Sequence, residues 1–426
     1  MEKHWFERLS LMGSVLLCIA GLVLVSCNRQ LSDGATSSPS SQVAPVKVAA
    51  NNSIEISPQS IAANSRFAFK LFEQIQKQKP EENLFISSPS IAAALSMVYN
   101  GAKEETREAI AQTLEVQGIS IKEVNQANAA LKASLEKSDL KVEVAIANSL
   151  WLNQNSSFQP DFLQKIGEYY GAKLSKIDFS DRGAISTINN WVQETTNSKI
   201  QQIVKDLDPQ TILIIVNAIY FKGNWSQEFD KSATQDLPFT LLDGTQKQQP
   251  LMSQSGDYPY YEQEQFQAIS LPYGEGRWSF YVFLPKKGTS LESFYENLTA
   301  ENWDNWMNEF RSLPGSIVLP RFKLEYDVTL NDTLKALGME VAFEPNRADF
   351  SGMTSERTFV NRVKHKTFVE VNEEGTEAAA ATSVGIVATS VPPPPFQMTV
   401  DRPFFCAIRD NKTGTILFMG SIVNPQ

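Results

Sequence analysis

Glu373-Glu374-Gly375-Thr376-Glu377-Ala378-Ala379-Ala380-Ala381-Thr382-Ser383-Val384-Gly385-Ile386-Val387-Ala388-Thr389-Ser390-Val391, followed by the four prolines Pro392 to Pro395, is the stretch on which the reading of this chain turns. Upstream, Val363, His365, Thr367, Val369 and Val371 alternate with Lys364, Lys366, Phe368, Glu370 and Asn372, the period of two expected of a strand. His365 shares a face with the valines and is expected to point inward as a hydrogen-bonded core histidine. Downstream, Phe404–Ile408 and Thr415–Ile422 flank Asp410-Asn411-Lys412-Thr413-Gly414, which predicts a hairpin. A connection of roughly twenty residues without regular structure is uncommon in a compact domain, and is either functional or a spacer.

Small residues and a proline run suit a flexible spacer. At period two, however, Thr376, Ala378, Ala380, Thr382, Val384 and Ile386 fall on one face, opposite Glu377, Ala379, Ala381, Ser383, Gly385 and Val387. The first face carries no charge and nothing too large for a sheet interior, and Thr, Val and Ile are good strand residues. The loop has the pattern of a strand not yet placed in a sheet.

Glu-Glu-Gly-Thr-Glu-Ala-Ala-Ala-Ala-Thr at 373–382 resembles the hinge of inhibitory serpins, and Phe418-Met419-Gly420 through Asn424-Pro425 resembles that family's C-terminal end. The resemblance covers essentially everything after about residue 57. It implies an α+β fold, helices packed around three β-sheets, with an exposed reactive-centre loop at about 373–395. It also implies irreversible suicide-substrate inhibition of serine proteases, with some cysteine proteases as a second target class. A protease cuts the loop and forms an acyl-enzyme, and the loop then enters the main sheet and drags the distorted protease with it.

Carried over residue by residue, the hinge is Glu373, Gly375, Thr376, Glu377 and Ala378, Ala379, Ala380 and Ala381. Counting from the hinge places the scissile bond at Thr389-Ser390, whereas counting back from Val400–Phe404 gives Ala388. No Lys or Arg occurs between Thr376 and Val400, so elastase-like or subtilisin-like proteases with shallow pockets are the expected targets. Ser87, Ser90, Asn217 and His365 fall on the family's shutter, a polar cluster beneath the place where the main sheet parts, and Trp225 on its breach, the opening end. Here the proline of Ser87-Ser88-Pro89-Ser90 is shifted by one from the commoner order, which bears on Ser87 more than on Ser90.

The rival reading is a non-inhibitory serpin acting as a surface binding protein. It predicts charged, bulky or proline residues on the inserting face, and this hinge has none. A lipid-anchored scaffold, a different class, would show no change in stability when the loop is cut.

The 426 residues, 42% hydrophobic and 20% charged, suffice for a large core. Lys3 and Arg8 precede an apolar run, Leu9 to Val25, that ends in Leu24-Val25-Ser26-Cys27. This looks like a bacterial signal peptide with a lipobox over residues 1–26, with lipids on Cys27. An uncleaved anchor is the alternative, since the run nears the ~18 apolar residues of a spanning helix. The small Ser26 favours cleavage. Residues 27–57 then read as a disordered tether and 58–426 as a single domain, held to an outer membrane, the cell surface or the periplasmic side. Lys3, Arg8, Glu2 and Glu7 cancel, so the mature chain keeps its formal charge of −10 and offers no basic surface to nucleic acid.

Of three cysteines only Cys406 remains free, expected as a buried small hydrophobe, and of two histidines only His365 lies outside the signal. That leaves no recognisable metal set, no cofactor motif and no nucleophile elbow; the expectation is a monomeric non-enzyme. Helices are predicted from Asn64 (Phe67, Leu71 and Ile75 in register), over Ile91–Tyr99 with Ser88 as cap and Gly101 as stop, Thr106–Leu114, Ile121–Lys137, Phe162–Tyr170, Ile185–Asn197 and around Trp303, Trp306 and Phe310. Strands are predicted at Val142–Leu152 and at Thr211–Phe221, an apolar run buried on both faces with Asn217 its polar interruption.

Overall fold

The computed structural model describes residues 57–136, 141–376 and 395–426. The helices are α1 (Pro58–Gln78), α2 (Ser88–Gly101), α3 (Glu104–Thr113), α4 (Ile121–Glu136), α5 (Pro160–Tyr169), α6 (Ala184–Thr195), α7 (Leu291–Glu296) and α8 (Ala300–Glu309). The strands are β1 (Leu84–Ile86), β2 (Val142–Asn153), β3 (Lys173–Ile177), β4 (Leu213–Asn224), β5 (Gln235–Thr240), β6 (Gln246–Glu262), β7 (Phe266–Tyr273), β8 (Trp278–Pro285), β9 (Arg311–Pro320), β10 (Phe322–Thr329), β11 (Arg362–Val371), β12 (Gly375–Thr376), β13 (Phe396–Thr399), β14 (Phe404–Asp410) and β15 (Ile416–Ile422).

Several helix starts differ from the sequence reading by one or more residues, and the first two bear on the site. The first helix begins at Pro58 because the Ser57 hydroxyl accepts the Ser60 N–H at 3.2 Å and proline suits the first turn. The second is capped by Ser87, one residue before the predicted Ser88, and the Ser87 hydroxyl makes no capping bond. Nearly all of α2 is buried, packed against β2, β4 and β15.

Among the described residues the strands form two hydrogen-bonded sheets rather than three. One runs β1-β15-β14-β8-β7-β6-β9-β13, with β5 on β6. The long β6 joins what would be two sheets: residues 251–260 pair with β9 while Tyr260–Glu262 pair with β7. The other sheet runs β10-β11-β12-β4-β2-β3. Its centre is the parallel pair β4 and β11, in register from Ile214↔Arg362 to Tyr220↔Phe368.

Strand β11 does not alternate cleanly. Lys366 and Phe368, expected outside, are buried as well, because α6 and residues 200–204 cover that face. Ile188, Val192, Ile200, Ile203 and Val204 pack there against Val216, Tyr220 and Phe368, a second core separate from the main one beneath the sheet. Cys406 is buried on β14. Among the described residues no helix is long and apolar enough to cross a membrane.

Candidate functional site: a sheet seam beginning to open

The pairing of β4 with β11 sets Asn217 opposite His365, and the pairing of β2 with β4 sets Asn148 opposite Asn217. Three polar side chains thus lie abreast across the sheet, and the two that are buried, Asn217 and His365, must find hydrogen-bond partners there. His365 Nδ1 bonds to Asn217 Oδ1, while its Nε2 accepts the Ser87 backbone N–H at 3.2 Å. Asn217 Nδ2 donates to Ser90 Oγ at 2.6 Å and to Asn148 Oδ1. An imidazole that accepts at Nε2 is neutral and carries its proton on Nδ1. Burial, reinforced by the neighbouring Lys364 ammonium, pushes its pKa down to about 3.

All four sequence-predicted members of this cluster therefore meet. Ser87 contributes its backbone N–H only, and its hydroxyl has no hydrogen-bond partner among the described residues. Asn148 was missed, since nothing in its local sequence separates it from any strand asparagine until the β2–β4 register is known. Thr367 was also unassigned; its hydroxyl donates to the Phe85 carbonyl at 2.6 Å and ties β11 to β1.

Above Phe368 the two central strands part, and the chain leaving β11 turns back between them. Asn372 closes this turn: its N–H donates to the Gly375 carbonyl at 2.8 Å and its side chain accepts the Glu374 N–H at 3.0 Å. Glycine is required at 375 by space, because a Cβ there would lie 2.1 Å from the Gly223 carbonyl oxygen. Thr376 then pairs with Val371 on one side and Gly223 on the other, with no solvent exposure. Its hydroxyl shares a 2.5 Å hydrogen bond with Tyr273, whose phenol burial holds well above its ordinary pKa and so protonated.

Trp225 fixes the same turn from the β4 side. Its indole N–H donates to the Asn372 carbonyl at 2.9 Å, its backbone N–H to the Glu374 carbonyl at 2.9 Å, and its ring stacks on Tyr273 at 4.5 Å. Glu373 and Glu374, within the turn, are both buried. Glu373 accepts from the Thr234 hydroxyl at 2.8 Å and faces Arg321 at 3.7 Å, and Glu374 pairs with Lys231. Sequence reasoning found Trp225 but not Tyr273, Asn372, Thr234, Lys231 or Arg321, which reach the hinge only through tertiary contact.

Of the remaining hinge residues, Glu377 and Ala378 to Ala381 lie outside the described residues, as do Ala388, Thr389, Ser390 and Cys27. No group of three or more His, Cys, Asp or Glu placed to hold a metal ion occurs among the described residues. Chemically, the arrangement is a strand slot occupied at its mouth and closed below. A segment continuing Gly375-Thr376 inward would meet backbone N–H and carbonyl groups from two sides only once β4 and β11, now paired with each other, part further.

Comparison with known proteins places this geometry. Residues 62–425 match the model of the serpin (serine protease inhibitor) family, and the chain belongs to that family. A human leukocyte elastase inhibitor is 37% identical over 377 residues, covering 85% of this chain and 99% of the relative. An uncharacterized serpin-like protein of Thermococcus kodakarensis is 35% identical, covering 86% of each. The crystal structure of a thermophilic serpin, tengpin, in the native state superposes with a TM-score of 0.81 at 33% identity, over 87% of this chain and 95% of that one. Membership, together with relatives named as elastase inhibitors, supports protease inhibition in general terms with a protease as partner, and the chain is not an enzyme.

Proposed function

We propose that this chain inhibits serine proteases irreversibly, as a suicide substrate whose loop between Thr376 and Phe396 is cut and then enters the sheet between β4 and β11. The observation that carries the reading is Thr376, buried at the top of a seam whose lower part is still paired strand to strand. The protease serine attacks the carbonyl of Thr389, or of Ala388 in the alternative register. An ester to the protease forms, and the next residue leaves as a free amine bearing the proton. Insertion of the new end, continuing Thr376 inward, carries the ester away before water attacks it.

The small, uncharged residue at either position suits an elastase-like or subtilisin-like pocket. The 37% identity to a protein named leukocyte elastase inhibitor supports the first class. Some cysteine proteases form a second target class by the same acylation chemistry. We also propose that the chain is an exported lipoprotein of bacterial type, anchored through Cys27. Mass spectrometry of the mature N-terminus tests this, and Cys27→Ala should release the protein from membranes.

The inhibitory reading is tested by incubating the chain with an elastase and with a subtilisin, then separating products under denaturing conditions and sequencing the released C-terminal peptide. The expected result is a covalent adduct and a peptide starting at Ser390, or at Thr389 in the alternative register. Clean cleavage by both proteases without adduct would replace this reading with the non-inhibitory binding protein.

A further inference from the structure

A hollow of about 400 Å³ opens along β10, where that strand meets the loop between α1 and β1 and the tail after β15. Glu81, Glu82, Glu325 and Asp327 line it, and no Lys or Arg does. Three of these carboxylates have lysine partners outside the lining: Glu82 with Lys79 at 2.6 Å, Glu325 with Lys366, and Asp327 with Lys364 and, at 3.7 Å, with Lys205. Lys79 and Lys205 are exposed, and ion pairs with exposed lysines hold a carboxylate only weakly.

An acidic lining alone would be a solvated surface. Tyr326 sets this one apart: it lines the same hollow, is only 5% exposed, and its hydroxyl has no hydrogen-bond partner among the described residues. Burial, and then the charges of Glu82 and Asp327, push the phenol's pKa up, so it is neutral and lies within reach of the acidic lining. A buried hydroxyl without a partner is a cost that a bound donor removes. The walls are fixed before any ligand arrives. Asn83 Oδ1 accepts the Val423 and Asn424 N–H groups at 2.8 and 2.9 Å, its Nδ2 donates to the Asn424 carbonyl at 2.7 Å, and the Lys323 N–H donates to the Gln426 carbonyl at 2.7 Å. Loop, tail and strand are thereby joined, which lowers the entropic cost of binding.

We propose that this hollow binds a short aliphatic polyamine, with one ammonium donating to the Tyr326 hydroxyl beside Glu82 and Asp327, the others toward Glu81 and Glu325, and the methylenes against Leu324 and Val423. The volume lies at the lower end of the range for small-molecule sites. Among the described residues no group of three or more His, Cys, Asp or Glu is placed to hold a metal ion. An ammonium instead brings three donors on an apolar stem, which suits carboxylates spread around an unpartnered acceptor. This binding makes no use of the inhibitory reading above.

The test is calorimetric titration of the full chain with spermidine at low ionic strength. Saturable one-site binding is expected, weakening as salt rises, with a melting temperature that climbs with ligand concentration. Tyr326→Phe keeps the charge and removes a hydroxyl that has no partner, so the free protein should melt no lower while spermidine binds about tenfold more weakly. Glu81→Gln combined with Glu82→Gln should weaken binding about tenfold as well, and so should replacing spermidine by butylamine, which has one ammonium. If Tyr326→Phe fails to fold, the double glutamine variant, altered only at exposed positions, and butylamine decide.

Absence of saturable binding overturns the site. Binding undiminished in a folded Tyr326→Phe or in the double variant also overturns it, since spermidine would then be drawn to the acidic surface at large. Equal affinity for butylamine overturns the polyamine assignment, and displacement of spermidine by an equal concentration of Mg²⁺ overturns the organic cation. Tighter binding of a three-lysine peptide than of spermidine overturns the free polyamine as ligand.

Discussion

His365 is uncharged where it sits, and its neutrality is part of what closes the seam. Its folded pKa of about 3 lies far below the ordinary 6.5, so as pH falls below 6.5 the unfolded chain takes up a proton that the folded chain refuses. Stability should therefore be unaffected by this group above pH ~7. Below, it should decline between about 6.5 and 3, by at most ~1.4 kcal/mol per pH unit. His365→Ala removes that proton uptake and leaves Asn217 Oδ1 and the Ser87 N–H without their partner, at ~1–3 kcal/mol for each buried group. Denaturant unfolding at several pH values should show the variant less stable at pH 7.5 and the gap narrowing toward pH 5. A constant gap would mean that the histidine does not titrate as its burial requires. The same variant should insert its uncut loop at a changed rate, because the cluster holds β4 to β11.

The hinge hairpin is the element on which the proposed mechanism turns, and two substitutions separate its parts. Gly375→Ala puts a methyl group 2.1 Å from the Gly223 carbonyl oxygen, so the turn must leave the slot. Loss of Thr376 burial and of its bond to Tyr273 should follow, read as faster amide exchange at residues 374–376. Thr376→Arg acts on the inserting strand itself. A guanidinium without a carboxylate partner cannot be buried there cheaply, so the covalent adduct should fall about tenfold or more while cleavage continues. Undiminished adduct from Thr376→Arg would remove the insertion model.

Much of this element was legible beforehand, for a physical reason. A segment that serves both as loop and as strand, as the proposed mechanism requires, keeps small, uncharged residues at alternate positions, and that constraint is written locally. Asn217 showed itself as the one polar residue in an apolar strand, and His365 through its place on the valine face. What stayed hidden depends on register and distance. Asn148 matters because it lies across from Asn217, and Tyr273, Lys231 and Arg321 matter because the chain returns to the hinge from elsewhere. Phe368 and Lys366 misled the alternation because a second layer, α6 and its following segment, buries the face that periodicity assigns to solvent. The shifted helix cap at Ser87 has a similar origin, since Ser87, Ser88 and Pro89 together allow two registers and tertiary packing chooses one.

At the scale of the whole molecule, the proposed mechanism requires the closed seam to be a stable arrangement short of the most stable one. Seven residue pairs join β4 to β11. A loop strand of about a dozen residues entering between them exchanges that one ladder for two, a net gain of about ten hydrogen bonds at ~0.5–1.5 kcal/mol each. Burial of Val384 and Ile386 adds roughly 1.5–3 kcal/mol apiece. The sum, on the order of 10 kcal/mol, matches the ~5–15 kcal/mol that stabilises a typical folded protease. The uncut chain cannot collect it readily, because both ends of the loop are held: Thr376 in the slot, and Phe396 on β13, which is paired to β9. Cleavage frees one end. The cut protein should therefore melt roughly 20 °C or more above the uncut one, since a gain of this size moves the transition by a few degrees per kcal/mol. Differential scanning calorimetry before and after limited elastase digestion measures this directly. Equal melting temperatures would mean that the loop stays outside the sheet after cleavage, and the closed seam would then be the equilibrium state and not a kinetic trap.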